Sequence, residues 1–409
     1  MDCIRKEVNH DENFSLDNGI DKNNLNKNKT TNLKHNFSEK SIQNHKTFLN
    51  SRLEQLESLD LEKCNNFSEL ARNMKFTSFG GRQVGEAVDV AEAMMKDKNC
   101  FKVLTLSGAM TVAKMGLIIC DMIDSGMVDA IVSTGALMAH GFIEANGFKH
   151  FKAPENISDR TLYMLNLNRI YDSLELESSL DYVADIFENI INSFDSEETL
   201  CSYKINKELG KYLVDHFEGR GILKSAYLKK VPVFIPAFTD SEFGLDFAII
   251  NKLKKLEGKK EFKFDPFLDL EEYTRLIFNA KKTGIFTIGG GVPRNWAQQV
   301  GPYIDLIRWK VVCRSDKKSY RPPENSPYYK PFSYGVRICP EPVHWGGLSG
   351  CTYSEGISWG KFLPKEKGGM FAEVLSDATI VWPIIIKAVL ERLKEKKENV
   401  IKLAMKTFN

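Results

Sequence analysis

The stretch "TGIFTIGGGVPRNWAQQV", residues 283–300, is an apolar run that ends in three glycines and turns directly into a segment with helical spacing. Its first half, rich in β-branched and aromatic residues and closed by glycine, predicts a strand. Pro293 suits the first turn of the helix that follows. The same device recurs along the chain. "FKVLTLSG" (101–108) ends in Ser107 and Gly108, "MVDAIVSTG" (127–135) ends in Ser133, Thr134 and Gly135, and "VPVFIPAFTDS" (231–241) forms a further strand. After the first of these, "AMTVAKMGLIICDMIDSG" (109–126) has helical spacing, with Gly126 suited to the position just past a helix end. Strands that each run into a small-residue turn and then a helix define a parallel α/β sheet, whose ligands sit at the carboxyl ends of the strands.

Around this frame, "LELESSLDYVADIFENIINSF" (174–194) predicts an amphipathic helix inside an inserted helical region of about 152–225. "PIIIKAVLERLKEKKENVIKLAMK" (383–406) predicts a closing helix with a solvated charged face. Residues 1–48 are rich in Asn, Lys, Asp and Ser, and have too few apolar groups to offset chain entropy, so a disordered extension is expected there. From Phe48 to Leu61 the spacing suits a short helix, and residues 49–409 form the folded domain.

Composition excludes several classes. A chain of 409 residues, 43% hydrophobic, can bury a large core. A net charge of +2 with dispersed basic residues offers nothing to nucleic acid. The eight cysteines form no CxxC pair and no histidine stands at zinc-ligand spacing, so neither a disulfide framework nor a metal is expected. No uninterrupted apolar run of about 18 residues predicts a membrane span. The amino end has no apolar signal core, and the expected location is a reducing cytoplasm.

Several turns admit two readings. Gly289, Gly290 and Gly291 let backbone N–H groups approach a phosphate at a helix N-terminus, yet Arg294 stands where a dinucleotide fingerprint has its third glycine, so a plain tight turn is equally open. Asp240 suits a ribose hydroxyl, a cationic amine or a helix cap, and Asp377 is open in the same way. Lys361, in "YSEGISWGKFLP" (353–364), lies among Ile357, Trp359, Phe362 and Leu363. A lysine desolvated there becomes a neutral amine able to attack an imine carbon, whereas one that snorkels past Trp359 does nothing. Trp359 offers a face to an alkyl cation, and Glu355, one helical turn earlier, a countercharge.

"SEGISWGKF" resembles the E-A-V-S-W-G-K-I segment of deoxyhypusine synthases. "MVDAIVSTG", "LNRIYD" (167–172), "VPVFIPAFTD", "TGIFTIGGGV" and "SDATIVWP" resemble further segments of that family in the same order, across about residues 70–390. The resemblance implies a Rossmann-like, mostly parallel sheet flanked by helices and an NAD-dependent aminobutyl transfer from spermidine. Lys361 would be the nucleophile, with Trp359 and Glu355 holding the polyamine. NAD would be held by Ser133, Thr134, Asp240, Gly289, Gly290, Gly291 and Asp377. It also implies a homotetramer with shared sites and, as acceptor, a lysine of a protein.

Departures from the family pattern accompany the resemblance. Asn295 replaces a histidine, Ala139 and His140 replace two acids, Trp345 and Leu348 replace two carboxylates, and Asp246 lies one position beyond an expected aspartate. A thinned set of acids suits a less charged amine, or one bound through Glu242, Asp246 or His140. Two alternatives stay open: transfer to putrescine, giving homospermidine, and an NAD-binding scaffold without catalysis.

Overall fold

The computed structural model describes residues 54–314 and 321–407. The chain divides into a short unit, Met1–Gln55, and a large one, Leu56–Asn409. The expected disordered extension, 1–48, lies outside the described residues, as does the start of the short helix expected from Phe48. Over residues 54–60 no helix forms, and a single 3-10 turn follows at Leu61–Lys63.

Six parallel strands build the large unit: β1 (Cys100–Leu106), β2 (Ala130–Ser133), β3 (Val233–Phe234), β4 (Lys282–Ile288), β5 (Tyr334–Ile338) and β6 (Met370–Val374). Their spatial order is β6-β5-β4-β1-β2-β3, so the chain reverses direction across the sheet between β1 and β4. That reversal opens a crevice at the carboxyl ends of these two strands, where doubly wound sheets bind ligands. The register is even: Val374, Ile338, Ile288, Leu106 and Ser133 stand in one row across five strands. The small-residue turns therefore leave the sheet side by side.

Both faces of the sheet are covered, which explains the near-continuous apolar strands. Leu104, Leu106, Phe286 and Ile288 point to one side, into a core shared with the helices α1 (Phe79–Lys96) and the later Ala378–Thr407. Their neighbours Val103 and Ile285 point to the other side, joining Phe234, Ala297, Tyr353 and Phe362. The segment that carries Lys361 is thus anchored in the second core through Tyr353 and Phe362.

Four of the six strands are legible in the sequence; β5 and β6 are not. The strand in "VPVFIPAFTDS" shrinks to Val233–Phe234, because Pro232 and Pro236 flank it and lack the N–H that a longer ladder needs. The helix expected over 109–126 begins only at α2 (Gly116–Asp124), after a turn in which Lys114 has φ +62°; Gly126, φ +78°, does close it. The helix expected from Leu174 begins as a strand, Ser173–Leu176, and continues as helix Glu177–Asn192. The inserted region is accordingly mixed: Phe151–Lys152, Leu167–Ile170 and Ser173–Leu176 form a small antiparallel sheet among its helices. Among the described residues no helix is long and apolar enough to cross a membrane, and seven cysteines are free.

Candidate active site

Four further helices position the site: α3 (Gly135–Ala145) after β2, α4 (Glu242–Leu256) after β3, α5 (Gly291–Gln298) after β4 and α6 (Tyr353–Ser358) after β5. Thr352 caps α6 by accepting from the Glu355 N–H at 3.1 Å. At its other end, the Gly360 N–H donates to the Ile357 carbonyl at 2.9 Å and the Lys361 N–H to the Gly356 carbonyl at 3.0 Å. This is the glycine-terminated helix end in which one residue takes a left-handed conformation, here Gly360 with φ +72°. The sequence W-G-K is thereby explained locally: the glycine turns the chain so that Lys361 leaves the helix end. Phe332 then fixes it, donating to the Lys361 carbonyl at 2.9 Å and accepting from Leu363 at 2.9 Å, while Phe362 fills the core.

The Lys361 side chain enters a cavity of about 490 Å³ lined by Gly291, Arg294, Asn295, Cys351, Glu355 and Trp359, among others. Its Nζ donates to Asn295 Oδ1 at 3.3 Å and lies 6.0 Å from the centre of the Trp359 ring. Burial pushes this ammonium below the ordinary lysine range, and the Arg294 guanidinium adds to the effect, while the Glu355 carboxylate opposes it. Cys351 is pushed up by burial and by the Glu355 carboxylate, which keeps the thiol protonated.

The floor is cationic. Arg294 donates to the carbonyls of Ser349 and Cys351 at 3.0 and 2.5 Å, and Arg337 to the same two at 2.7 and 2.8 Å. Arg337 is held in turn by Glu373 at 2.7 Å. Arg294 therefore occupies the third-glycine position for a reason: it fastens the loop that carries Trp345 and Leu348.

The crevice between β1 and β4 adjoins this cavity through Gly291. Ser107 Oγ accepts from the Gly290 N–H at 3.0 Å and donates to the Ile288 carbonyl at 3.0 Å. Gly289, φ +77°, packs onto Ser107, and a Cβ at Gly290 would lie 2.6 Å from Ser349 Cβ, so both glycines serve close packing. Gly291, φ +63°, faces open space. Helices α3 and α5 both start without a side-chain cap, leaving their first N–H groups unclaimed, and Ser133 Oγ is buried without a partner. These unclaimed donors, at the carboxyl ends of β2 and β4 on either side of β1, are of the kind that phosphates and hydroxyls of a dinucleotide such as NAD take.

The other expected residues are distributed differently. Asp240 is exposed and does not cap α4; Ser241 does, accepting from Gly244 N at 3.3 Å. Asp377 caps the closing helix, accepting from Thr379 N at 2.8 Å. His140 and Asp246 do not line the Lys361 cavity. His140 lies 3.0 Å from Glu175 and 3.8 Å from Glu242, and Asp246 is pushed up to about 6 by burial and by Glu242. Reading the sequence alone misses Ser107, Arg294 and Cys351 as site residues. Only Cys351, one turn before Glu355, carries a local signal.

Known proteins resemble this chain over most of its length. The family model described as "DS: Deoxyhypusine synthase" matches residues 69–389. "Probable deoxyhypusine synthase 2" of Methanosarcina acetivorans is 34% identical over 82% of this chain and 90% of its own length. The protein of the same name from Archaeoglobus fulgidus is 33% identical over 79% of this chain and 98% of its own. A "Deoxyhypusine synthase-like protein" of Chlorobaculum parvum is 33% identical over 78% of this chain and 85% of its own.

Proposed function

We propose, on the premise that this chain belongs to the deoxyhypusine synthase family, that it is an NAD-dependent aminobutyl transferase acting through Lys361. It moves the butylamine part of spermidine to a lysine of a protein acceptor. The observation that carries this reading is Lys361 itself: a half-buried lysine, held below its ordinary range, in a cavity with Trp359 and Glu355. NAD, held by the donors at Ser133, Thr134 and Gly291, would supply hydride acceptance from the donor amine and its later return.

The chain's own residues do the rest. The neutral Lys361 nitrogen attacks the imine carbon and forms a new C–N bond. The bond to the 1,3-diaminopropane nitrogen breaks as both protons of the Lys361 amine pass to that diamine, and the acceptor lysine then displaces Lys361 from the same carbon by the same exchange, returning the protons and freeing the Lys361 amine. Asn295 accepts from Lys361 and orients it, but shuttles no proton at ordinary pH. The exposed face of Trp359 and the Glu355 carboxylate hold the cationic butyl arm. Trp345, Leu348 and Trp359 leave apolar surface around the cavity, 56%, 63% and 64% exposed, which supports a facing subunit in a homotetramer.

Purified protein incubated with NAD, spermidine, putrescine and a candidate acceptor protein, followed by mass spectrometry, tests the reading. Free 1,3-diaminopropane and a modified protein lysine are expected. Homospermidine without protein modification would replace the acceptor with putrescine, and no diaminopropane at all would leave a non-catalytic NAD-binding scaffold.

A further inference from the structure

Away from the Lys361 cavity, three side chains from separate elements meet between α3 and the small sheet. His140 belongs to α3, His150 precedes the strand Phe151–Lys152, and Glu175 stands on the strand Ser173–Leu176. His140 Nδ1 lies 3.0 Å from one Glu175 oxygen and His150 Nε2 lies 3.2 Å from the other. One ligand atom from each residue falls within 4.8 Å of the other two. The side chains of Glu175 and His150 are 1% and 2% exposed.

The two imidazoles pair with the carboxylate at ion-pair distance, yet their ring N–H directions miss its oxygens. Neither Glu175 oxygen, nor His140 Nδ1, nor His150 Nε2 makes a directed hydrogen bond. A buried carboxylate served only by misaligned imidazoles gains from an ion that all three side chains can bind directly. Two imidazole nitrogens and a carboxylate are a donor set for zinc-class ions. The surroundings of His140 are compatible: its other ring nitrogen lies 3.8 Å from the Glu242 carboxylate, within a small side-chain movement of the hydrogen bond that orients a metal-bound imidazole.

His150 shows the opposite arrangement. Its Nδ1 lies 2.9 Å from Lys114 Nζ, which also reaches Glu144 at 3.2 Å. An ammonium donates to Nδ1, so the ring proton sits on Nε2, the atom a metal needs. Lys114 is 46% exposed and free to swing out, leaving Glu144 beside the ring.

We propose that His140, His150 and Glu175 bind a zinc-class divalent cation that fastens the small sheet to α3, and that Lys114 competes with it by occupying His150. This is independent of the aminobutyl-transfer reading. The test titrates Zn²⁺ into chelator-treated full-length protein against a chromophoric competitor, with melting temperature as a second readout. One equivalent should bind and raise the melting temperature. Glu175→Gln and His150→Ala should weaken binding about tenfold or more, and Lys114→Met should tighten it. No stoichiometric binding, or equal affinity in parent, Glu175→Gln and His150→Ala, would overturn the proposal. If those two variants fail to fold, Lys114→Met decides: tighter binding supports the site, and unchanged binding overturns it.

Discussion

At the scale of single residues, the chemistry of Lys361 follows from where its nitrogen sits. The reactive form is the neutral amine, and burial beside Arg294 favours it. Transfer should therefore rise with pH along a limb whose midpoint lies below the ordinary lysine value of 10.5; a rate profile from pH 6 to 10 checks this. Lys361→Arg keeps the charge but never offers a neutral nitrogen, and transfer should fall by about a thousandfold or more in the product assay. Asp246 offers a separate test through stability. Its folded pKa, about 6, exceeds the unfolded value of about 3.9, so the native state holds the proton longer and stability falls as pH rises between them. Asp246→Asn should stabilise the protein above pH 6 by on the order of 1 kcal/mol after solvent screening, with the gain gone below about pH 4, as denaturant melts would show. Lys361, Trp359, Glu355 and Asn295 were legible because a local motif carries them. The group of His140, His150 and Glu175 was not, because spacing rules see neighbours along the chain and these three come from a helix, a loop and a strand.

At the scale of elements, the two glycine-bearing turns perform different work. Gly360 closes α6 and directs Lys361, and a Cβ there would meet nothing nearer than Arg321 at 3.9 Å. The cost of Gly360→Ala is then that of the left-handed backbone alone, about 1 kcal/mol, and transfer should drop about tenfold as Lys361 is misdirected. Thermal melts and the product assay separate the two effects. Gly290 packs on Ser349, so substitution there disturbs the loop clamped by Arg294 and Arg337 before it touches a ligand. Gly291 is the better probe. Gly291→Ala should weaken NAD binding about tenfold by calorimetry, with a stability loss of about 1 kcal/mol from its φ of +63°. The strand-then-glycine pattern made β1, β2 and β4 readable. It failed for β5 and β6, because "YGVRICP" and "MFAEVLS" interleave buried Arg337 and half-buried Glu373, whose pairing only the folded sheet supplies.

At the scale of the whole molecule, the order β6-β5-β4-β1-β2-β3 places the uncapped helix starts at one crevice and the lysine cavity beside it, with Gly291 common to both. That arrangement is the physical content of the proposal: the crevice proposed for a dinucleotide and the lysine proposed as nucleophile share one wall, with Arg294 beneath. The sequence announced the fold class through its repeated turns, whereas the strand order and the cationic floor emerge only from the assembled sheet. The most direct test is to add borohydride during turnover with NAD and spermidine, then digest the protein and locate the adduct by mass spectrometry. The account predicts a butylamine adduct on Lys361, absent in Lys361→Arg. An adduct confined to another lysine, or full turnover by Lys361→Arg, would contradict it.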